Sequence, residues 1–278
     1  SNILNLLEFS LNLPSEFQSV MWSEVEISSG KRTVELLLEK SDFHQPFLSK
    51  SHLWLCLVNC KFRPEKTVDK FVKWTNQMRV FGINSFDDVH EGLDTEEEWN
   101  RLSGSFTAFA GCGLDNDNRS IMWIVTRKTP ESEERDAIRC GALYFLAMHA
   151  DLVSMREGIT FVLDTTDNSM VDKVGNENKL QKVYQSIPLR PQHIFIIGAG
   201  WVKRALINAV ISVISLFTKE KVIDRIRFAT LEEVEKTVSK SSLPKKHGGD
   251  AGGIKTNELL VQYVKSRLEE FKKLTPDY

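Results

Sequence analysis

A thirteen-residue apolar run, Ala205–Phe217 (ALINAVISVISLF), leaves this chain few ways to fold. It lies between Lys203-Arg204 and Lys219-Glu220-Lys221. The run is too short to cross a bilayer, which takes about 20 residues. Wound into a helix, it gathers Arg204, Asn208, Ser212, Ser215 and Lys219 into one narrow polar stripe. Leu206, Ile207, Val210, Ile211, Val213, Ile214, Leu216 and Phe217 cover nearly everything else. So wide an apolar surface must be buried, either in a core or against an apolar partner that comes and goes.

The chain has 278 residues, enough for one large domain or a small helical domain beside a larger one. A hydrophobic fraction of 41% can supply the core, and a net charge of -2 gives no global attraction to nucleic acid. Any electrostatic partner must therefore meet a local patch. Cys56, Cys60, Cys112 and Cys140 form no CxxC pair, as expected of reduced thiols, and no signal sequence or long apolar span is present. The expectation is a cytoplasmic chain, with the Ser1-Asn2 start also allowing a piece of something longer.

Up to about residue 90 the periodicity predicts helices: Ile3–Leu11, Val34–Lys40, Leu53–Cys60, and Glu65–Arg79 opened by Pro64. Asp94–Trp99 reads as a further helix start. The pattern changes near Phe106. Phe106–Ala110 and Ile121–Val125 read as strands around a turn at Gly113–Asn118, followed by a helix from Ala137 to Met155. Gly158–Asp164, Ile194–Ile197 and Ile226–Phe228 read as strands. Lys179–Ser186, Leu231–Lys240 and Asn257–Lys273 read as helices, and Leu243–Gly249 as a turn. Strands alternating with helices predict an α/β layer with a mainly parallel sheet, preceded by an all-α region.

Motifs with a chemical reading are few. Gly198-Ala-Gly200 between a strand and a helix suggests a dinucleotide loop, but Lys203 occupies the position where helix packing needs glycine or alanine. The acidic residue that should close the next strand is absent, so a tight turn is the better reading. Asp164-Thr-Thr-Asp167 could hold a metal or serve as a carboxylate pair, yet no histidine stands near it in the sequence, and a polar turn is preferred. His52, Cys56 and Cys60 share one helix face and could ligate zinc, but their leucine neighbours favour a buried core stripe. No nucleophile elbow, phosphate loop or HExxH pattern occurs. No catalytic residue, metal site or cofactor is expected.

Two features remain. Phe145, Ile159, Phe161, Leu163, Ile194 and Ile196, with the 205–217 helix, form an apolar excess that could line one cavity; periodicity alone favours a plain core. Basic residues cluster near the ends of that helix: Arg190, Lys203, Arg204, Lys219, Lys221, Arg225 and Arg227. They could meet lipid phosphates or form a solvated face.

These residues resemble a known family. Leu53-Trp-Leu-Cys-Leu-Val-Asn-Cys-Lys-Phe62, Thr67–Trp74 and Phe81-Gly82-Ile83 resemble the helical segment that precedes Sec14-like (CRAL-TRIO) lipid-binding domains. Gly158–Asp164, Pro188–Gly198, Trp201–Phe228 and the closing Leu243-Pro-Lys-Lys-His-Gly-Gly249 resemble the CRAL-TRIO domain itself, in order and spacing. The resemblance implies a CRAL-TRIO fold whose sheet floors an apolar cavity under a gate helix at 205–217. It further implies cavity positions at Val183, Ile187, Leu206, Ile207, Val210, Ile211 and Ile214. Leu189 and Val222 replace the glutamate and threonine of the yeast Sec14 pattern, and the resemblance looks nearer the α-tocopherol transfer protein branch because of its basic positions. Arg190, Lys221 and Arg225 fall where that branch places basic residues for phosphoinositide.

The implied organisation is a helical region at 1–95, a CRAL-TRIO domain at 96–254 and a C-terminal helix at 255–278. The implied function is non-enzymatic binding and transfer, or sensing, of a hydrophobic lipid, with bound lipid and peripheral association with anionic membranes. The alternative is a regulatory or membrane-targeting module of a larger signalling protein, such as a phosphatase or GTPase regulator, with additional domains on a longer chain.

Overall fold

A computed structural model describes residues 22–92, 95, 97–98, 102, 109–125, 134–149, 151–164, 186–198, 222, 224–250, 264–269 and 272–273. The expected helices at 3–11 and 205–217 lie outside these residues, as does the expected 179–186 helix apart from its last residue, Ser186, which is helical.

Among the described residues four helices come first: α1 (Glu24–Leu38), α2 (Lys50–Asn59), α3 (Pro64–Arg79) and α4 (Phe86–His90). α1 begins well before the expected Val34. Ser23 and Glu26 form a reciprocal capping box there, and the buried face carries Gly30 and Thr33, small residues that give no apolar periodicity. α2 is the central helix, with His52 through Val58 all buried. α3 opens on Pro64, where the missing amide hydrogen costs nothing, and buries Val68, Phe71, Val72, Trp74 and Met78 along one stripe. Phe43, Phe47, Phe71, Trp74 and Phe86 interlock between these helices, edge-on in the Phe47–Phe86 and Phe71–Trp74 pairs and tilted in the Phe43–Phe71 and Trp74–Phe86 pairs.

Among the described residues the sheet has five strands in the order β1-β2-β3-β4-β5. They are β1 (Phe109–Leu114), β2 (Ser120–Val125), β3 (Ile159–Asp164), β4 (Pro191–Ile197) and β5 (Ile226–Phe228). β1 is antiparallel to β2, and the other three pairings are parallel. Phe106–Ala108 of the first expected strand lie outside the described residues, β1 is described from Phe109, and the turn moves from Gly113 to Asp115. The Asp115 carboxylate accepts from the Asp117 and Arg119 amides at 2.9 Å, closing the turn through its own side chain.

The expected helix Ala137–Met155 is two helices, α5 (Glu134–Met148) and α6 (Leu152–Glu157). Asp151 breaks it, because its carboxylate caps α6 by accepting from the Ser154 amide at 2.7 Å. The expected Leu231–Lys240 helix ends early, as α7 (Leu231–Glu235), with a 3-10 turn following at Lys240–Ser242.

Alternation along the strands gives the sheet two apolar faces. On one, Met122, Phe161, Ile194 and Ile196 join a large core with α2, α3 and α5. On the other, Ile121, Trp123, Val162, Phe195 and Ile197 pack with Val234, Val238 and Leu243. Polar links tie the remaining parts to this frame. Arg156 of α6 pairs with Glu26 at 2.8 Å and lies 4.7 Å from the Trp22 ring centroid. Residues 264–269 are helical, and buried Arg267 reaches Asp151, Ser120 and the Ala147 carbonyl. Among the described residues no helix is long and apolar enough to cross a membrane.

Candidate functional site

The strand register builds one candidate surface. Met122 pairs with Phe161, Phe161 with Ile194, and Ile194 with Ile226, forming an apolar row across four strands. A second row runs from Leu163 to Ile196 to Phe228. Both belong to the same face, since residues two apart in a strand point the same way. Ile159 is fully buried at the start of β3, and Ile187, just before β4, also joins this core. Burial falls away toward the sheet edge: Ile196 is 1% exposed and Phe228 48%.

Of the expected cavity residues, Ile159, Phe161, Leu163, Ile187, Ile194 and Ile196 therefore converge on one face. Phe145 falls within α5. Val183, Leu206, Ile207, Val210, Ile211 and Ile214 lie outside the described residues, as does Lys221.

The two remaining basic candidates meet at the opposite end of the strands from Asp164. Arg190 donates from its guanidinium to the Arg156 carbonyl. Arg225 donates to the Pro191 carbonyl at 2.6 Å. Burial lowers the Arg190 pKa from its ordinary value; Glu157 opposes the shift and Arg225 adds to it, placing the two guanidiniums in each other's field. Gly158 makes this corner possible. Its φ is +97°, and a side chain there would put Cβ 2.3 Å from the Arg190 carbonyl oxygen. That carbonyl accepts from the Ile159 amide at 2.9 Å, so the approach is a working part of the β3–β4 ladder.

Asp164 is the last residue of β3, and residues 165–167 of the expected polar turn lie outside the described residues. Its carboxylate is completely buried, and one oxygen lies 2.6 Å from Lys246 Nζ and 2.7 Å from His247 Nε2. Trp123 Nε1 donates to the same oxygen at 3.2 Å. The histidine that seemed missing beside Asp164 is thus supplied by the closing Leu243–Gly249 segment, where separation along the chain hid it. The two final glycines of that segment have separate causes. Gly248 adopts φ +79°, and a Cβ on Gly249 would sit 2.1 Å from the Leu243 carbonyl oxygen. The cluster lies on the sheet face away from the apolar row, as its neighbours Trp123 and Leu243 do.

The zinc-spaced trio has ordinary surroundings. The His52 ring stacks on Phe86 at 3.6 Å, and its Nδ1 lies 2.6 Å from Ser49 Oγ. Burial, with some help from His90, holds its pKa well below the usual histidine value, so the ring is neutral near pH 7. Cys56 and Cys60 are buried free thiols. Burial pushes the Cys56 thiol up, away from reactivity. Gly198, from the dinucleotide-like loop, has φ +80°, the conformation of a tight turn leaving β4.

An antiparallel edge strand followed by parallel strands, with one continuous apolar face and a glycine-rich closing segment, narrows the possibilities. Residues 108–249 match the CRAL/TRIO domain. The chain belongs to the CRAL/TRIO family. A comparison with curated proteins finds no match. CRAL/TRIO domains are generally non-enzymatic modules that bind or transfer hydrophobic lipids. The matched span contains the five described strands, the Asp164 cluster and the Arg190–Arg225 corner.

Proposed function

We propose that this CRAL/TRIO protein holds a hydrophobic lipid against the Met122–Phe161–Ile194–Ile226 face of its sheet and exchanges it at a membrane surface. The observation that carries this reading is the apolar row continuing across four parallel-paired strands inside a domain of a lipid-binding family. Segment 205–217 acts as the gate, and Leu206, Ile207, Val210, Ile211 and Ile214 face the lipid together with Phe145, Val183 and Ile187. In water an open gate would expose several aliphatic side chains, each worth about 1.5–3 kcal/mol of burial. Opening is therefore coupled to a membrane, where lipid replaces protein as the apolar partner.

Arg190, Lys221 and Arg225 supply the headgroup contacts, at about 1 kcal/mol per cation near an anionic surface. Their arrangement is nearer the α-tocopherol transfer protein branch than Sec14, and phosphoinositides are the favoured headgroup class. The association with membranes is peripheral, and no catalytic group, metal or other cofactor takes part. Replacing Ile211 and Ile214 with aspartate tests the gate. Lipid uptake from vesicles should be abolished with helicity retained, and unchanged uptake in the double variant sinks the gate.

A further inference from the structure

We infer that the C-terminal corner of α2, from Asn59 to Phe62, clasps the segment leading into β4, so that the helical region positions Ile187 in the lipid face and sets how fast a bound lipid exchanges. The inference rests on the lipid-binding reading above and assigns that site two positioning residues, Asn59 and Arg156, neither of which lies in the sheet.

Ile187 is 4% exposed and belongs to the core of the apolar face. Pro188 to Arg190 join it to β4. The Leu189 amide donates to the Ile187 carbonyl at 2.8 Å, a tight turn with Pro188 at its apex. The proline ring already holds φ near the value such a turn needs. The Pro188 carbonyl leaves this turn toward α2 and accepts from Asn59 Nδ2 at 2.7 Å, across 129 positions of sequence. Charge fixes which way the amide points. Lys70 Nζ lies 2.9 Å from Asn59 Oδ1, and an ammonium only donates, so the amide NH2 must face Pro188.

Arg190 supplies the second hold on the same segment. Its guanidinium donates to the Arg156 carbonyl, one of the last-turn carbonyls of α6 that a helix cannot satisfy from within. Glu157 beside it puts a negative charge in the same corner and favours the guanidinium there. Arg156 carries the connection back to the helical region. Its side chain pairs with Glu26 of α1 at 2.8 Å and lies 4.7 Å from the Trp22 and 5.7 Å from the Phe62 ring centroid.

Phe62 reaches that place through a strained turn. Lys61 and Phe62 adopt φ +57° and +53°, left-handed backbone that favours glycine. The Lys61 amide donates to the Val58 carbonyl and the Phe62 amide to the Leu57 carbonyl, both at 2.9 Å, which closes α2. The turn sets the Phe62 ring 6.0 Å from Trp54, between α2 and Arg156. Two successive non-glycine residues keep such a backbone only where their surroundings hold it.

One corner of the helical region thus holds two points of a four-residue segment, Pro188 directly and Arg190 through Arg156. Both holds are polar and partly exposed, whereas Ile187 sits in packed core. Few hydrogen bonds open more readily than a core does, so the clasp gives way first and Ile187 leaves the face with its neighbours.

The test compares the whole chain with Asn59→Asp, Arg156→Met and Ile83→Val variants. N59D keeps the size of the side chain and its acceptor for Lys70 but loses the donor to Pro188. R156M keeps the stem and loses the Glu26 pair. I83V trims a buried residue beyond the far end of α3 and should lower the urea midpoint without touching the clasp. Lipid-loaded protein is mixed with vesicles of a carbon-13-labelled mixed-lipid extract, and native mass spectrometry follows replacement of the unlabelled adduct. N59D and R156M should each replace lipid about five-fold faster than wild type, with amide exchange at Leu189 quickened to match. I83V should replace lipid at the wild-type rate. Wild-type replacement rates in both N59D and R156M overturn the clasp, even if Leu189 exchange quickens. So does an I83V variant that replaces lipid as fast as N59D, because exchange would then follow overall stability. If wild-type protein carries no lipid, the lipid-binding reading fails by itself. Leu189 exchange then decides the clasp alone: faster in N59D and R156M supports it, and unchanged overturns it.

Discussion

Arg267 and Asp151 meet at 2.6 Å with side chains only 2% and 3% exposed. The same guanidinium reaches Ser120 and the last turn of α5, so one residue near the C-terminal end joins β2, α5 and α6. Asp151 also caps α6, which means its charge is used twice.

Removing one partner of such a pair leaves the other charged and dry. Arg267→Ala should therefore destabilise the protein by about 3–5 kcal/mol, read as a lower denaturation midpoint in urea. Arg267→Met with Asp151→Asn should recover part of the loss, because no uncompensated charge then remains. Equal stability of wild type and R267A would show that residues 264–269 are not part of the cooperative unit.

Asp164 holds the closing segment by accepting from Lys246, His247 and Trp123. A carboxylate only accepts, so His247 must keep its proton on Nε2. Asp164→Ala should cost about 2–3 kcal/mol, since Trp123 and His247 lose a buried acceptor while Lys246 can turn to water. The change should appear in tryptophan emission and as faster amide exchange across 243–249.

His52 and His90 both titrate below their usual range, mainly through burial. Protons then bind the unfolded chain before the folded one. Stability should be full above about pH 6.5 and decline as the pH falls from there toward the folded-state values. The slope can reach about 1.4 kcal/mol per pH unit for each histidine. His52→Gln should flatten it, as measured by urea unfolding at a series of pH values.

Gly158 faces the Arg190 carbonyl with no room for a side chain. Gly158→Ala should cost about 1–3 kcal/mol from its positive φ alone and push β4's first residues away. Because Arg190 moves with them, binding to anionic vesicles should weaken more than lipid content does.

The legible parts of this fold are those where the hydrophobic period is local. β3 carries Ile159, Phe161 and Leu163 at a period of two, and α3 carries Val68, Phe71, Val72 and Met78 at a helical period, so both could be read directly. The first half of α1 escaped because Gly30 and Thr33 form its buried side. The break at Asp151 escaped because a capping aspartate inside an apolar pattern looks like a helix residue. The Asp164–His247 contact spans 83 positions, and no spacing rule connects them. The candidate apolar face was visible as alternation. Its emergence at Phe228 was not, since exposure at an edge depends on which strand lies outermost.

Native mass spectrometry of the purified protein tests the central claim most directly. Binding of a hydrophobic lipid predicts one lipid-mass adduct per chain, lost on collisional activation and regained after incubation with mixed-lipid vesicles. A bare mass before and after vesicle incubation would contradict it.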